Sequence, residues 1–431
     1  MGDEGAAIDA WVEKNSERVV EFARRLVRIP SEIRPPYACE KEAQGHVAQV
    51  MGELGFEVDM FDLAEIPELK DHPLYFPTWD GMPRPLEDRP DVVGRVRGRG
   101  GGRSILFSSH IDTVAKEPVP WTTAEPFGGE IIEGKLYGRG AYDDKCGVAT
   151  SVFAAACVKE LGIDLRGDVI VESVTDEEAG GSHGTLAARL RGYQADVAIN
   201  CEPTNMVVCP SHRGGGEWRI TVRGTPGMAF DGKRLIDPVS KLADTILALN
   251  AFNEARNRRS KREPLDGTTG ELPLYITQIG GGGDSYWEQM GVPASCYLYA
   301  WIEEYEGVTE GTHGQELIES VNAYLRTRPG FDGTLPEYRH TIRYLPGSSM
   351  SLDHPVFPVL EQAFASSGRE YRVASAPFAC DAYVFNLFTK TPALVLGPGG
   401  DHAHAPDEYV IVQDMLDLVR IYARTIVRWC Q

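Results

Sequence analysis

The chain has 431 residues, 42 % of them apolar, and a net charge of −20. This composition suits a packed protein of about two to three domains. The charge would repel nucleic acid and anionic membranes, so neither is an expected partner. No apolar run approaches the ~20 residues that span a bilayer.

The first residues, "MGDEGAAIDAW", are acidic and lack the basic-then-apolar order of a signal peptide. The eight cysteines are scattered without a CxxC pair, which points to reduced thiols in the cytoplasm. Residues 6–28 carry helical periodicity in Ile8, Trp11, Val12, Val19, Phe22, Ala23, Leu26 and Val27, and "RIPSE" ends it. A second helix is expected at about 41–54, then a strand at "FEVDMF". "VVGRVRG", "SILFSSH", "DVIVESVT" and "ADVAIN" read as buried strands, with helices at "CGVATSVFAAACVKEL" and "HGTLAARLRG". Strands and helices alternating in this way predict a layered α/β core.

Near residue 210 the pattern changes. "GGEWRITVRG", "LPLYITQIGGGG", "SCYLYAWIEEY" and "HTIRYLP" read as strands, while "DPVSKLADTILALNAF" and "GQELIESVNAYLR" read as helices. The basic stretch "RNRRSKRE" reads as a solvated helix end. After residue 348 the core pattern resumes with "HPVFPVLEQAFASSG", "PALVLGPGG" and a C-terminal helix. The expected organisation is a domain of 1–210 and 348–431, with a smaller α+β domain, 211–347, inserted in it.

Polar residues collect just after the core strands. His110 and Asp112 follow one strand, and Asp176, Glu177 and Glu178 the next. Glu202 follows a third, and His402 and His404 a fourth. Ligands of open α/β sheets bind beyond the carboxyl ends of strands. Taken singly, each is an ordinary exposed strand end. Taken together, two imidazoles and several carboxylates suggest a metal site. Glu177, Glu178, Glu202 and Asp143 would crowd negative charge that needs cations or protons. Two divalent ions sharing one carboxylate and one hydroxide would relieve that crowding. Mixed imidazole and carboxylate ligands suit Zn, Mn or Co. The stretch "GRGAYDDKCG" lacks the Gly-x4-Gly-Lys-Ser/Thr order of a phosphate loop, and its two aspartates would repel a phosphate.

The order His-x-Asp, Gly-Arg-Gly-x-x-Asp-x-Lys, Asp-Glu-Glu-x-Gly, Glu-Pro-Thr and a late His-x-x-x-Glu resembles the M20 family of two-metal hydrolases. These are enzymes of the acetylornithine deacetylase, succinyl-diaminopimelate desuccinylase, aminoacylase and carboxypeptidase G type. The resemblance implies a layered α/β/α catalytic domain with a mixed sheet and an inserted α+β domain acting as lid and dimerisation surface. It implies a metal-dependent hydrolase that cleaves a C–N bond of a small molecule, by default deacylating an N-acyl amino acid. It assigns His110, Asp143 and Glu202 to one metal, and Asp143, Glu178 and His404 to the other. Asp112 would support the His110 imidazole, and Glu177 would be the general base. His402 is the rival of His404, whose spacing to Glu408 fits the family pattern. Asp144 is expected to turn away into local hydrogen bonds.

The inserted region departs from the family. Met228 stands where relatives carry a histidine that stabilises an oxyanion. Glu303 and Glu304 stand where a substrate-gripping arginine is usual, and Tyr383 replaces an arginine in "FACDAYVF". One reading supplies the missing imidazole from His212 or His313, with Asp381 and Tyr383 near the substrate. The other resembles 5-nitroanthranilate aminohydrolase, an outlier that replaces an aromatic amine with hydroxide. There Met228 and the aromatic stretches "SYWEQM" and "YLYAW" would pack on the ring. A binding protein without catalysis is the third alternative; it would not need the complete ligand set.

Overall fold

The computed structural model describes the chain from residue 2 onward, except 36, 181, 233, 259–269, 283–286 and 288–289. The basic stretch from 259 on, and most of "SYWEQM", lie outside the described residues. The chain divides into two compact units. One comprises Met1–His212, Ser348–Ala376 and Cys380–Gln431. The other comprises Arg213–Gly347 with Pro377–Ala379.

Besides several strands of two or three residues, the elements up to residue 212 are α1 (Gly2–Arg28), α2 (Lys41–Glu53), β1 (Glu57–Asp62), β2 (Pro90–Val96), β3 (Ile105–His110), α3 (Lys145–Glu160), β4 (Val169–Val174), α4 (His183–Leu190), β5 (Val197–Asn200) and β6 (Val208–His212). The second unit contributes β7 (Gly214–Arg223), α5 (Pro238–Asn257), β8 (Leu274–Gly281), β9 (Ser295–Glu304), α6 (Glu310–Arg326) and β10 (Glu337–His340). The chain then returns with β11 (Ser348–Ser349), α7 (Val356–Ser366), β12 (Val373–Ala376), α8 (Ala382–Phe388), β13 (Ala393–Val395) and α9 (Val412–Cys430).

The first unit is built on a mixed sheet in the order β11-β6-β13-β5-β3-β4-β2-β1, with β12 beside β6. Its middle is parallel: β4 and β5 flank β3, and β13 lies beyond β5. Register fixes where the strands end. Val174 pairs with His110, Asn200 with Ser108 and Val395 with Asn200. Four carboxyl ends therefore share one edge, and the polar residues after them emerge side by side. Helix α3 is buried along nearly its whole length, Lys145 to Val158. That is why it is apolar all round rather than striped. It packs against α1 and α9, whose buried faces carry Val12, Val19, Leu26, Leu418, Tyr422 and Ile426.

The second unit is an antiparallel sheet, β8-β9-β7-β10, packed against α5 and α6 around Trp218, Ile220, Leu249, Phe252, Leu298 and Leu317. Alternating burial along β7 and β9 is the half-buried strand pattern. Asp237 caps α5 by accepting the Val239 amide at 2.9 Å, with Pro238 in the first turn, and Thr309 caps α6 through the Thr312 amide. The expected strand "HTIRYLP" is corrected: β10 covers Glu337–His340 and stops where that expectation began. Beyond it Thr341 turns its amide and hydroxyl to Glu217, and Pro346 has no amide for a ladder.

Buried histidines order this unit. The Trp218 indole donates to Nε2 of His313 at 3.0 Å, so the ring proton of His313 is on Nδ1, facing Glu304 at 3.2 Å. His340 lies under Trp218, ring centroids 3.6 Å apart. Burial, with His313 adding to it, lowers the His340 pKa to about 4. Unfolded, the same ring titrates near 6.5, so folding must exclude a proton as pH falls. The stability it allows is complete above pH ~6.5 and is lost as pH falls toward ~4, a swing of about 3 kcal/mol. Urea unfolding at pH 7 and pH 4 should show wild type losing that much relative to His340→Gln. Parallel losses in both would reject the assignment.

Candidate metal centre

The loops after β3, β4, β5 and β13, and the turn before α3, bring their polar side chains to one place. His110, 2 % exposed, sits at the end of β3. Its Nε2 is 2.9 Å from Asp143 Oδ1 and 3.7 Å from Glu202 Oε1. On the other side of Asp143, His404 Nε2 is 3.2 Å from Oδ2 and 2.8 Å from Glu178 Oε2. Two donor sets thus share the two oxygens of one carboxylate. Ligand atoms on a tetrahedral ion with bonds near 2.0–2.1 Å lie about 3.3 Å apart, so these spacings fit an ion in each set.

The electrostatics agree. Three carboxylates and the buried Asp144 face two imidazoles. Burial pushes Glu202 up to about 7. Desolvation works against charge on buried His110 and on His404, whose side chain is 51 % exposed, yet Glu202 and Asp143 carry the first well above its ordinary value, and Glu178 and Asp143 carry the second. Burial likewise opposes the Asp143 charge, but the two imidazoles hold it far below the usual carboxylate range. The cluster calls for positive charge at two points.

The supporting contacts explain how the donors are aimed. His110 Nδ1 is 2.9 Å from the Asp112 main-chain carbonyl, while the Asp112 carboxylate stands 3.7 Å away. The Asp112 side chain instead accepts the amides of Glu177 at 3.3 Å and Glu178 at 3.0 Å. The expectation that its carboxylate holds the imidazole is therefore corrected: the carbonyl does so, and the carboxylate orders the Glu177–Glu178 turn. Glu408 accepts the amides of Gly140, Tyr142 and Asp143 at 2.9–3.1 Å and the Arg139 guanidinium at 2.6 Å. It fixes the turn that presents Asp143. His404 adopts φ 59°, a left-handed conformation uncommon outside glycine, typical of constrained functional positions.

Glu177 is half-buried, and burial followed by the neighbouring Glu202 pushes its carboxyl well above the ordinary range. A carboxyl so placed is suited to holding a proton near neutral pH. His402 is elsewhere: its Nδ1 is 3.1 Å from the Pro406 carbonyl, and its ring is exposed beside Tyr409.

Asp144 corrects an expectation. Its carboxylate is fully buried, makes no cap bond to α3, and neither oxygen has a hydrogen-bond partner among the described residues. It lies against Gly147, where a Cβ would come within 2.2 Å of it. One Asp144 oxygen is also within 4.8 Å of donor atoms of His110 and Glu202.

Of the residues expected near a substrate, Asp381, Tyr383 and His212 are each held by local contacts. Asp381 and Tyr383 are buried: Asp381 accepts from the hydroxyls of Ser182 and Thr185, and the Tyr383 hydroxyl lies 2.9 Å from Ser182. His212 is buried, with Nε2 2.8 Å from the Ser348 hydroxyl. Met228, in the second unit, is 63 % exposed. His313, the other candidate for a missing imidazole, has both nitrogens engaged within its own unit. Glu303 and Glu304 likewise pair with Arg213 and Arg256 there. Sequence reasoning missed the roles of Glu408, Arg139 and Asp176. All three stand inside the motifs that carry the resemblance, next to residues singled out there.

Imidazole and carboxylate donors thus meet at the carboxyl edge of a mixed sheet in an arrangement that could hold metal ions. The model of Peptidase family M20/M25/M40 matches residues 106–428, and the chain belongs to that family. The chain is 26 % identical to N-formyl-4-amino-5-aminomethyl-2-methylpyrimidine deformylase of Bacillus subtilis, covering 97 % of this chain and 96 % of that protein. It is 28 % identical to succinyl-diaminopimelate desuccinylase of Methylorubrum populi, covering 95 % and 97 %. In fold it is similar to human carnosine dipeptidase 1, with TM-score 0.73, 14 % identity and coverage of 99 % and 100 %. It is also similar to the di-peptidase Dug1p of Saccharomyces cerevisiae, with TM-score 0.77, 13 % identity and coverage of 100 % and 99 %. The chain is accordingly a hydrolase of C–N bonds that depends on metal.

Proposed function

We propose that the chain deacylates a small N-acyl compound, an N-acyl amino acid or a related amide, with two divalent ions of Zn, Mn or Co. The observation that carries this reading is Asp143, whose two oxygens face His110 and His404 separately. His110 and Glu202 would hold one ion, Glu178 and His404 the other, and Asp143 both. Bound there, the ions would lower the pKa of a water and polarise the substrate carbonyl. Glu177 takes the proton of the attacking water on its carboxylate and returns it to the departing nitrogen, so a poor amine anion never has to leave. Asp112 keeps Glu177 and Glu178 in step by holding both amides.

The named relatives support an acyl–nitrogen bond as target, since a deformylase and a desuccinylase both cut one. Displacement of an aryl amine has no comparable support and is not adopted. A homodimer through the second unit belongs to the same reading: β8 is an edge strand with Tyr275 and Ile279 exposed, open to strand pairing. A monomer by light scattering would remove that part. A cytoplasmic location is supported by eight unpaired cysteines, seven of them buried. Among the described residues, no helix is long and apolar enough to cross a membrane.

The test is a screen of N-formyl, N-acetyl and N-succinyl amines and dipeptides, with aminobenzoates as the contrasting set, each with Mn and with Zn. Release of free carboxylate from an acyl compound is expected. Release of ammonia from aminobenzoates alone would replace this reading.

A further inference from the structure

We propose that Arg84 is a positioning residue that holds the Glu177–Glu178 turn against the metal centre. This rests on the reading of Glu178 as a ligand and Glu177 as the base. Arg84 lies ahead of residues 106–428, the part matched by the family model, in the segment between β1 and β2.

The Arg84 side chain is fully buried, and the two terminal nitrogens of its guanidinium have different targets. Nη1 donates to Asp176 Oδ2 at 2.9 Å, and Nη2 donates to the Ala179 carbonyl at 2.9 Å. Asp176 and Ala179 flank Glu177 and Glu178, so one planar fork grips the turn at both ends. A lysine, with a single point of charge, could not span the two. Asp112 holds the same turn through the two amides between those ends.

Asp176 is itself fixed. It adopts φ 69°, and its carboxylate is 2.9 Å from Arg89 Nη1 and 2.8 Å from His183 Nδ1. The Phe76 amide donates to His183 Nε2 at 3.1 Å, which places the ring proton on Nδ1, toward Asp176. His183 is then neutral. Arg89 also binds Glu40, so two buried guanidiniums balance two buried carboxylates. The Trp79 ring covers both guanidiniums, at 4.9 and 5.2 Å. Burying such ions adds little net stability, whereas their geometry specifies one conformation of the turn.

Cobalt titration of the metal-free protein, with a competing chelator, gives the two ion affinities. Glu202→Ala in the same titration identifies which step belongs to the His110 ion. Arg84→Ala is expected to weaken the ion held by Glu178 and His404 by about 10–100-fold and to change the other by less than about 2-fold. Free guanidinium ion, far below denaturing concentrations, should restore part of the loss, and Arg84→Lys should fall between. In metal-free protein, amide exchange of the 175–182 segment should rise in Arg84→Ala with other segments unchanged. Equal weakening of both ions, or no change in affinity and exchange, overturns the proposal. If Arg84→Ala does not fold, Arg84→Lys decides it on the same affinities. Fewer than two ions in wild type would defeat the metal-centre reading instead, and the exchange measurement would still decide the role of Arg84.

Discussion

Glu177→Ala is expected to retain two divalent ions per chain and to lose turnover by about 10³-fold or more. The separation of the two effects follows from geometry. Glu178, not Glu177, lies against His404, and the Asp143, His110 and Glu202 contacts do not involve Glu177. Removing its carboxyl deletes no donor. It does delete the acceptor for the proton of water and the source of the proton for the leaving nitrogen, which affects both halves of the reaction. Both Glu177 and Glu178 amides stay anchored on Asp112 whatever the side chain at 177. Metal analysis and steady-state kinetics on the acyl compound returned by the screen check this together. Full turnover with Ala at 177 would remove the residue as base, and lost metal would make it a ligand.

Asp143→Ala should empty both ion sites and abolish activity with them, whereas Asp144→Asn should leave metal content within about 2-fold. Among the described residues Asp143 is the one carboxylate within 3.2 Å of both imidazoles, and its turn is held by hydrogen bonds from three main-chain amides and one arginine to Glu408. Its loss leaves each ion one donor short and puts two imidazoles against fewer negative charges. Asp144 is fully buried, and burial first of all pushes its carboxyl well above the ordinary range, so the amide of nearly the same shape replaces a group already disposed to be uncharged. Two neighbouring acids in one turn thus differ in consequence. Metal content by mass spectrometry measures the contrast, and comparable losses in both variants would show that Asp144 is also a ligand.

The core strands could be read from sequence because a buried parallel strand is a short apolar run with polar residues at its end. "SILFSSH" has both the run and the His. The register then does what no local pattern states: pairing Val174 with His110 and Asn200 with Ser108 sets the three loops abreast. Arg84 and Arg89 had no such signal. They sit in a segment without periodicity, and their partners Asp176 and Glu40 are distant in sequence. Asp144 shows the limit of spacing arguments: adjacency to Asp143 said nothing of the room that Gly147, lacking a Cβ, leaves for the Asp144 carboxylate. Asp381, just before α8, and Tyr383, within it, are expected near the substrate from their place in the motif, and what the sequence does not reveal is their buried network with Ser182. Burial of that kind is decided by tertiary packing, which the sequence pattern of a seven-residue helix does not reveal.

The most direct test of the account is the divalent-metal content of the wild-type chain after reloading with Mn, Co or Zn and removal of excess ion. Two ions per chain are expected, and one or fewer would contradict the shared role of Asp143.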